Sequence, residues 1–317
     1  MRRYLLKRLL YLVPVMLGVS IITFGLVSLV PGDPAEIIMQ SGGTEVTREA
    51  VEAMREELGL NDPVYIRYLH WLNDVLHLDL GESYRTGRPV AEEIFCRFPA
   101  TLELSLAAVL FMLLVALPSG ILAALHRHAF VDHISRIWAL FGASVPGFWL
   151  GLLLIYYFSV RLGVFPVMGR GGVKHLVLPA VTLGFGMAAV YARLLRASML
   201  EVLGQDYIKV ARARGVKEKL IIGRHAFKNA LLPVVTALGM GLGHLLGGAV
   251  IVETVFAWPG VGRLLVDAIF NRDYPVIQGY ALTMAVVFVF INLLVDISYF
   301  YLDPRIRPGR GNNIFRS

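Results

Sequence analysis

The densest positive charge in this 317-residue chain falls within residues 199–233. There Lys209, Arg212, Arg214, Lys217, Lys219, Arg224 and Lys228 stand against only Glu201, Asp206 and Glu218. Small residues sit among the cations at Ala211, Ala213 and Gly215, and the pattern predicts two short helices. Small side chains let a backbone approach a groove closely while flanking cations fix its orientation. The chemistry is therefore docking of a helix onto a partner, not catalysis. Anionic lipid would also attract this charge, at about 1 kcal/mol per basic residue. It would not account for the spacing of alanine and glycine.

A second set of polar residues lies in or beside apolar runs: Glu103, His244, Asn292 and Asp296. Such groups are costly in hydrocarbon, so they belong at a pathway, a partner surface or an interface. Glu103 and Asp296 lie near the ends of apolar runs and read as structural pairs, and His244 reads as a hydrogen-bonded packing residue. Gly239, Gly243 and Gly247 recur every four residues, which puts a groove on one helix face for close packing in lipid. That packing is either within the chain or against a second subunit. The eight histidines show no paired ligand spacing, so no tight metal site is expected. Cys96 is the only cysteine, which excludes an intrachain disulfide. The sequence contains no Gly-x-x-x-x-Gly-Lys-Ser/Thr loop, no His-Glu-x-x-His and no Gly-x-Ser-x-Gly. It thus lacks a phosphate loop and the commoner hydrolase sites.

Membrane spans must position these residues. Apolar residues make up 56% of the chain and charged residues 17%, with a mean hydropathy of +0.65; soluble domains are nearer half and a quarter. The net charge of +7 does not indicate nucleic acid, because the basic residues gather at the ends of apolar runs. Six apolar stretches suit membrane-crossing helices of about 20 residues: residues 11–30, 102–125, 137–160, 176–191, 231–252 and 276–301. Backbone groups in hydrocarbon must pair internally, so all six are predicted helical, with kinks at Pro14, Pro118, Pro146 and Pro179. The first run lacks an Ala-x-Ala-like cleavage site and reads as a span, not a signal sequence.

One side collects Arg2, Arg3, Lys7, Arg8, Arg127, Arg136, the basic loop, and Arg305, Arg307, Arg310 and Arg316. The other carries residues 31–100, with thirteen acidic against six basic side chains. The basic side, with both termini, is predicted cytoplasmic. In the acidic segment, residues 47–58 (Thr47 as N-cap, Gly59 as terminator) and 64–80 have helical spacing and read as a solvated cover.

Together these motifs resemble one family. Asp206-Tyr-Ile-Lys-Val-Ala-Arg-Ala-Arg-Gly215, followed by Arg224-His-Ala-Phe-Lys-Asn-Ala-Leu-Leu-Pro233, is similar to the coupling segment of ABC importer permeases of the dipeptide, oligopeptide and nickel uptake group. Pro31-Gly-Asp-Pro34, Ala100-Thr-Leu-Glu-Leu104, Ser144-Val-Pro146, Val255-Phe-Ala-Trp-Pro-Gly-Val-Gly262, Asn271-Arg-Asp-Tyr-Pro275 and Leu302-Asp-Pro-Arg305 resemble further signatures of that group. Lys209-Val-Ala211 replaces the Glu-Ala-Ala of importers at large, and Gly215 to Pro233 is a longer gap, so individual contacts do not transfer from that wider pattern. The connection 163–174 and Phe270-Asn-Arg-Asp-Tyr-Pro-Val-Ile-Gln278 lean toward the nickel-import permease.

The resemblance implies an all-α integral membrane protein of about six transmembrane helices with the ABC importer (type I-like) permease fold. Its parts would be 1–30 (basic segment and first span), 31–100 (external, periplasmic), 101–302 (permease core with coupling loop 199–230) and 303–317 (cytoplasmic tail). It implies half of a heterodimeric pathway in a bacterial inner membrane, carrying nickel or a nickel–chelator complex, with di- or oligopeptides as the alternative. The implied partners are a second homologous permease, two cytoplasmic ATPases that bind ATP and magnesium, an external substrate-binding protein and the bilayer. Asp206, Tyr207, Ala211, Arg212, Ala213, Arg214 and Gly215 would couple to the ATPases. Glu103, Gly239, Gly243, His244 and Gly247 are pathway or packing candidates. A short helix over 261–271 would present Trp258, Arg263, Asp267, Arg272 and Asp273 to the binding protein. An ion-coupled secondary transporter would instead call for an internal repeat and mid-membrane acids, which the sequence does not display.

Overall fold

The structure, a computed structural model, describes residues 2–29, 33–41, 47–57 and 59–302. The expected tail 303–317 and the Pro31-Gly32 pair lie outside these residues. Among the described residues regular structure is helical, apart from one isolated bridge between Glu82 and Pro89.

Local chemistry sets the early helices. α1 (Arg2–Leu29) runs unbroken through Pro14. α2 (Pro34–Ser41) was not foreseen from periodicity, and its signal is a cap: the Asp33 carboxylate accepts the Ala35 N–H at 3.1 Å. Pro34 takes the first helical position, where its missing N–H leaves nothing unpaired. α3 (Arg48–Glu57) starts after Thr47, whose Oγ1 accepts the Ala50 N–H at 3.4 Å. Gly59 closes it at φ +61, with the Leu60 N–H reaching back to the Arg55 carbonyl at 2.9 Å. α4 (Val64–Leu76) ends short of the expected residue 80, because Leu78 turns the chain at φ +66.

The remaining helices are α5 (Val90–Leu125), α6 (Phe130–Ser144), α7 (Gly147–Leu154), α8 (Val173–Leu203), α9 (Asp206–Ala213), α10 (Glu218–Leu220), α11 (Phe227–Val255), α12 (Val261–Phe270) and α13 (Tyr274–Leu302). Wide π-helical turns extend α7 over Ile155–Arg161 and join α10 to α11 over Ile221–Ala226. Among the described residues four helices are long and apolar enough to span a bilayer: α1, α5, α8 and α13. The expected third span is not one straight helix. α6 and the extended α7 meet at 103°, as a broken span or a re-entrant loop. Pro146 disfavours helical geometry at Val145, which sits at φ −79 and ψ 123. Pro179 stays within an unbroken α8, because a proline breaks a span only where its freed carbonyls find no other partner. The expected span 231–252 falls within α11, whose described apolar stretch is Leu245–Val255.

The chain forms two compact units: Met1–Thr101 with Pro259–Phe290, and Leu102–Trp258 with Ile291–Ser317. In the first, Val90, Ile94, Val261, Leu264, Ala268 and Val276 build a core. Polar groups pin its loops. Buried Asp273 accepts the Ser83 hydroxyl at 2.5 Å and the Tyr84 N–H at 3.1 Å, and Thr101 Oγ1 accepts the Val261 N–H at 2.9 Å. In the second unit the core is built from small residues, including Ala116, Ala188, Ala192, Ala226 and Ala230, around Met112, Leu195 and Met199. A Cβ at Gly184 would stand 2.6 Å from the Ala108 carbonyl oxygen, and one at Gly120 would stand 2.8 Å from that of Ala192. Helices in lipid associate by such close packing, since the tails are as apolar as leucine.

Candidate functional site

The basic loop forms the two short helices its sequence predicts. α8 stops at Leu203, α9 follows from Asp206, and the chain reverses at Gly215 before α10. Gly215 has φ +74, the Gly215 N–H reaches the Arg212 carbonyl at 2.9 Å, and the Val216 N–H reaches that of Ala211 at 3.2 Å. This paired closure needs a left-handed residue just past the helix, hence glycine. Nothing stands within 4 Å of where a Cβ at Gly215 would point, so backbone conformation and not crowding selects the residue.

Ile208 and Ile221 are fully buried and anchor the loop from beneath. Tyr207 accepts a hydrogen bond from Asn229 Nδ2 at 3.0 Å, which ties α9 to α11. Arg212 grips Glu218 with two nitrogens, at 2.7 and 3.2 Å, and the Glu218 carboxyl is held below its ordinary range by that hydrogen bond. Lys209 pairs with Asp206 at 2.8 Å. Among the described residues Arg214, Lys217, Lys219, Arg224 and Lys228 form no ion pair. Ala213 and Gly215 are exposed beside them, while Ala211 is half-buried.

The base of α8 carries an element that sequence reasoning missed. Asp132, in the first turn of α6, is 0% exposed and receives Arg196 Nε at 2.6 Å, Nη2 at 2.8 Å and the His128 N–H at 3.0 Å. Arg136 adds a longer contact at 3.7 Å. The bidentate pair clamps α6 to α8, and α8 then leads straight into the basic loop. The only hint in the sequence was an acid in a first turn, which the helix dipole alone would account for.

The other candidates separate. Glu103 pairs with Arg170 at 2.6 Å, and Arg170 also lies over the Trp258 ring at 5.9 Å. Gly239 meets Val295 of α13 and serves packing, while a Cβ at Gly247 would meet nothing within 4 Å among the described residues. Gly243 lies between them on α11, and the side chains of His244 and Asp296 lie outside the described residues. Two proposed surface contacts need correcting. Trp258 is 0% exposed and Asp273 is 3% exposed, so neither offers a surface to a partner. An indole and a carboxylate are buried because each finds a partner inside, Arg170 for the first and the Ser83–Tyr84 turn for the second. Arg263, Asp267 and Arg272 do reach the surface of their unit, with Arg263 and Asp267 at 3.9 Å. The second unit also holds an apolar cavity of about 430 Å³ at the α6–α7 bend, lined by Pro146, Phe148, Leu183 and Phe185 with Leu245 and Ile251 of α11.

Residues 116–308 match the family described as the inner membrane component of binding-protein-dependent transport systems, and residues 1–107 match its N-terminal membrane component family. The glutathione transport system permease protein GsiC of Escherichia coli K12 is 44% identical over 307 residues, 97% of this chain and 99% of that protein. The dipeptide transport system permease protein DppB of Alkalihalophilus pseudofirmus is 40% identical, over 97% of this chain and 100% of that protein. Among solved structures, an inward-facing MetNI methionine ABC transporter superposes with a TM-score of 0.54 at 22% identity. It covers 66% of this chain and 95% of its own, and it shares the fold.

Proposed function

Because the chain belongs to the family of binding-protein-dependent transport system inner membrane components, and is a permease subunit of an ABC importer, we propose that its cargo is short peptides. The observation that carries this reading is full-length identity of 40–44% to proteins named for dipeptide and glutathione transport. The lean toward nickel drawn from residues 163–174 and 270–278 has no comparable support, and peptides take its place.

In this reading the chain supplies one half of the pathway, paired with a second homologous permease. Two ATPases, holding ATP and magnesium, dock on the Asp206–Gly215 loop, and a binding protein delivers cargo to the opposite side, where Arg263, Asp267 and Arg272 are available. The basic termini and the loop lie in the cytoplasm. ATP-driven closure pushes the loop, α8 carries the movement, and the Asp132–Arg196 clamp passes it to α6 and the bend at Pro146. The apolar cavity beside that bend lines the pathway. Two distant sites are thereby coupled through an element with two arrangements.

Uptake of radiolabelled dipeptide and of glutathione by cells lacking their own peptide importers, with and without the complete transporter, tests the cargo. Peptide uptake without nickel uptake is expected, and the reverse result overturns the reading. Gly215→Val tests the lever: ATP hydrolysis should persist while uptake falls about tenfold, because a β-branched residue resists φ +74. Unchanged uptake would remove the loop from the mechanism.

A further inference from the structure

Within the first unit a cavity of about 320 Å³ opens between α1, α4 and the start of α13. That volume sits at the small end of ligand pockets, which span about 300–1,000 Å³. One face of α4 lines it with Arg67, His70, Trp71 and Asp74, spaced at i, i+3, i+4 and i+7. Asp62, Tyr84, Tyr274 and Gln278 line other walls.

Three observations mark this cavity as built for a ligand. The first is uncommitted charge. Among the described residues the side chains of Asp62, Arg67 and Asp74 form no hydrogen bond or ion pair; Arg67 is half-buried, and the two carboxylates are exposed at the rim. Elsewhere in the unit Asp33 takes Arg55 at 2.9 Å and Glu93 takes Arg97. The second is the Tyr274 hydroxyl. Tyr274 is only 5% exposed, yet its oxygen has no partner, whereas buried hydroxyls are nearly always paired. The third is Tyr84, whose ring meets that of Tyr274 at 6.3 Å and whose phenol burial pushes up to about 12, so it stays a donor.

We propose that this cavity binds short peptides with both termini free, Arg67 taking the C-terminal carboxylate and Asp74 the N-terminal ammonium. Seven residues of helix separate Arg67 from Asp74 by about 10.5 Å. An extended peptide spans about 3.3–3.6 Å per residue, so three residues bridge the two charges. Guanidinium is suited to a carboxylate because it offers two parallel donors. Tyr84 and Tyr274 are placed to donate to peptide carbonyls, and Trp71 offers an apolar wall for a side chain. The peptide class rests on the cargo reading above and on where the cavity lies in the chain. Most of its lining falls within residues 1–107, the N-terminal family segment. Full-length relatives named for dipeptide and glutathione transport match 97% of this chain. The cavity is therefore a receiving site for peptide on the permease itself.

The test uses the assembled transporter in nanodiscs without its binding protein, probed with Ala-Ala-Ala by tryptophan fluorescence. Saturable binding is expected, weakened about tenfold by Arg67→Gln and by Asp74→Asn. Amidating the peptide C-terminus should reproduce the first loss and add nothing to it; acetylating the N-terminus should do the same for the second. Tyr274→Phe keeps the ring and the fold, and should weaken binding about threefold. No saturable binding, or equal binding by blocked peptides, overturns the proposal. Weaker docking of the binding protein with unchanged Ala-Ala-Ala binding also overturns it and makes the cavity a protein contact. Cellular peptide uptake reads the cargo separately: uptake with no effect of these variants on binding rejects the site alone, and absence of uptake rejects the cargo.

Discussion

The two units are held together by different physics. In the first, polar groups do the pinning: Asp273 holds the Ser83–Tyr84 turn, Thr101 caps the start of α12, and Asp33 holds Arg55, around a core of valine, isoleucine and leucine. In the second, alanine and glycine bring helices into backbone contact, and one buried ion pair, Asp132–Arg196, supplies the clamp. The contrast follows from the solvent each core must work against. The first unit also contains α1 and most of α13, but its core gathers α12 with the ends of α5 and α13, which lose water on folding, so branched apolar side chains gain free energy there. Helices that move from lipid to protein gain little from hydrophobicity and depend on shape. The first unit is thus sensitive at its polar pins, and the second at its close-packed small residues and at its buried ion pair.

The contrast breaks most easily at the buried ion pair. Asp132→Ala strands Arg196 beside a desolvated site and should destabilise the second unit by about 3–5 kcal/mol. Thermal unfolding in detergent measures it, and a loss under about 1 kcal/mol would show the clamp to be incidental. Next comes Gly184→Ala. The new methyl meets a carbonyl oxygen at 2.6 Å, and backbone cannot turn away, so about 3 kcal/mol is expected, the upper end for overpacking. A neutral result by the same measurement would dissolve the claim that shape governs this unit. In the first unit, Asp273→Ala leaves a hydroxyl and an N–H unpaired and should cost about 2 kcal/mol. Faster proteolysis at Arg85 and Arg88, in the turn it holds, is the readout. The smallest effect sharpens the account of the basic loop. Arg212 lowers the Glu218 pKa, so this carboxylate supports the fold where it is ionised, above its unfolded value near 4.5. Its support is lost as pH falls through the lower folded value. Hydrogen exchange in α9, corrected for intrinsic rates, should be faster in Glu218→Gln than in the native chain at pH 7. The two should converge in strong acid; a difference that persists there contradicts the pairing.

Much of the functional loop was legible because its determinants are local. Gly215 is needed for a left-handed turn, charges three residues apart pair as Lys209 does with Asp206, and small residues remain small wherever they are placed. The helix α2 was legible in principle from Asp33-Pro34, a cap followed by a first-turn proline, but eight residues are too few for periodicity to register. The Gly239, Gly243 and Gly247 repeat misled in part. Spacing of four places residues on one face without saying what faces them; Gly239 meets Val295, Gly247 meets nothing within 4 Å among the described residues, and tight backbone contacts fall at the unrepeated Gly184 and Gly120. Trp258 and Asp273 looked like surface residues because an aromatic and an acid near a short helix so often are, and burial depends on partners distant in sequence.

What the sequence determined by itself was the membrane class, most of the helices, and the two short helices and glycine turn of the basic loop. Each follows from composition, charge and spacing within a few turns of chain. Only the tertiary structure decided that the third span bends through 103°, that Asp132 clamps α8, and that charges on α4 converge with Tyr84 and Tyr274 on one cavity. The clamp joins residues 64 positions apart, and the cavity joins helices from opposite ends of the chain. No local preference of the backbone encodes which side chains will meet across such distances.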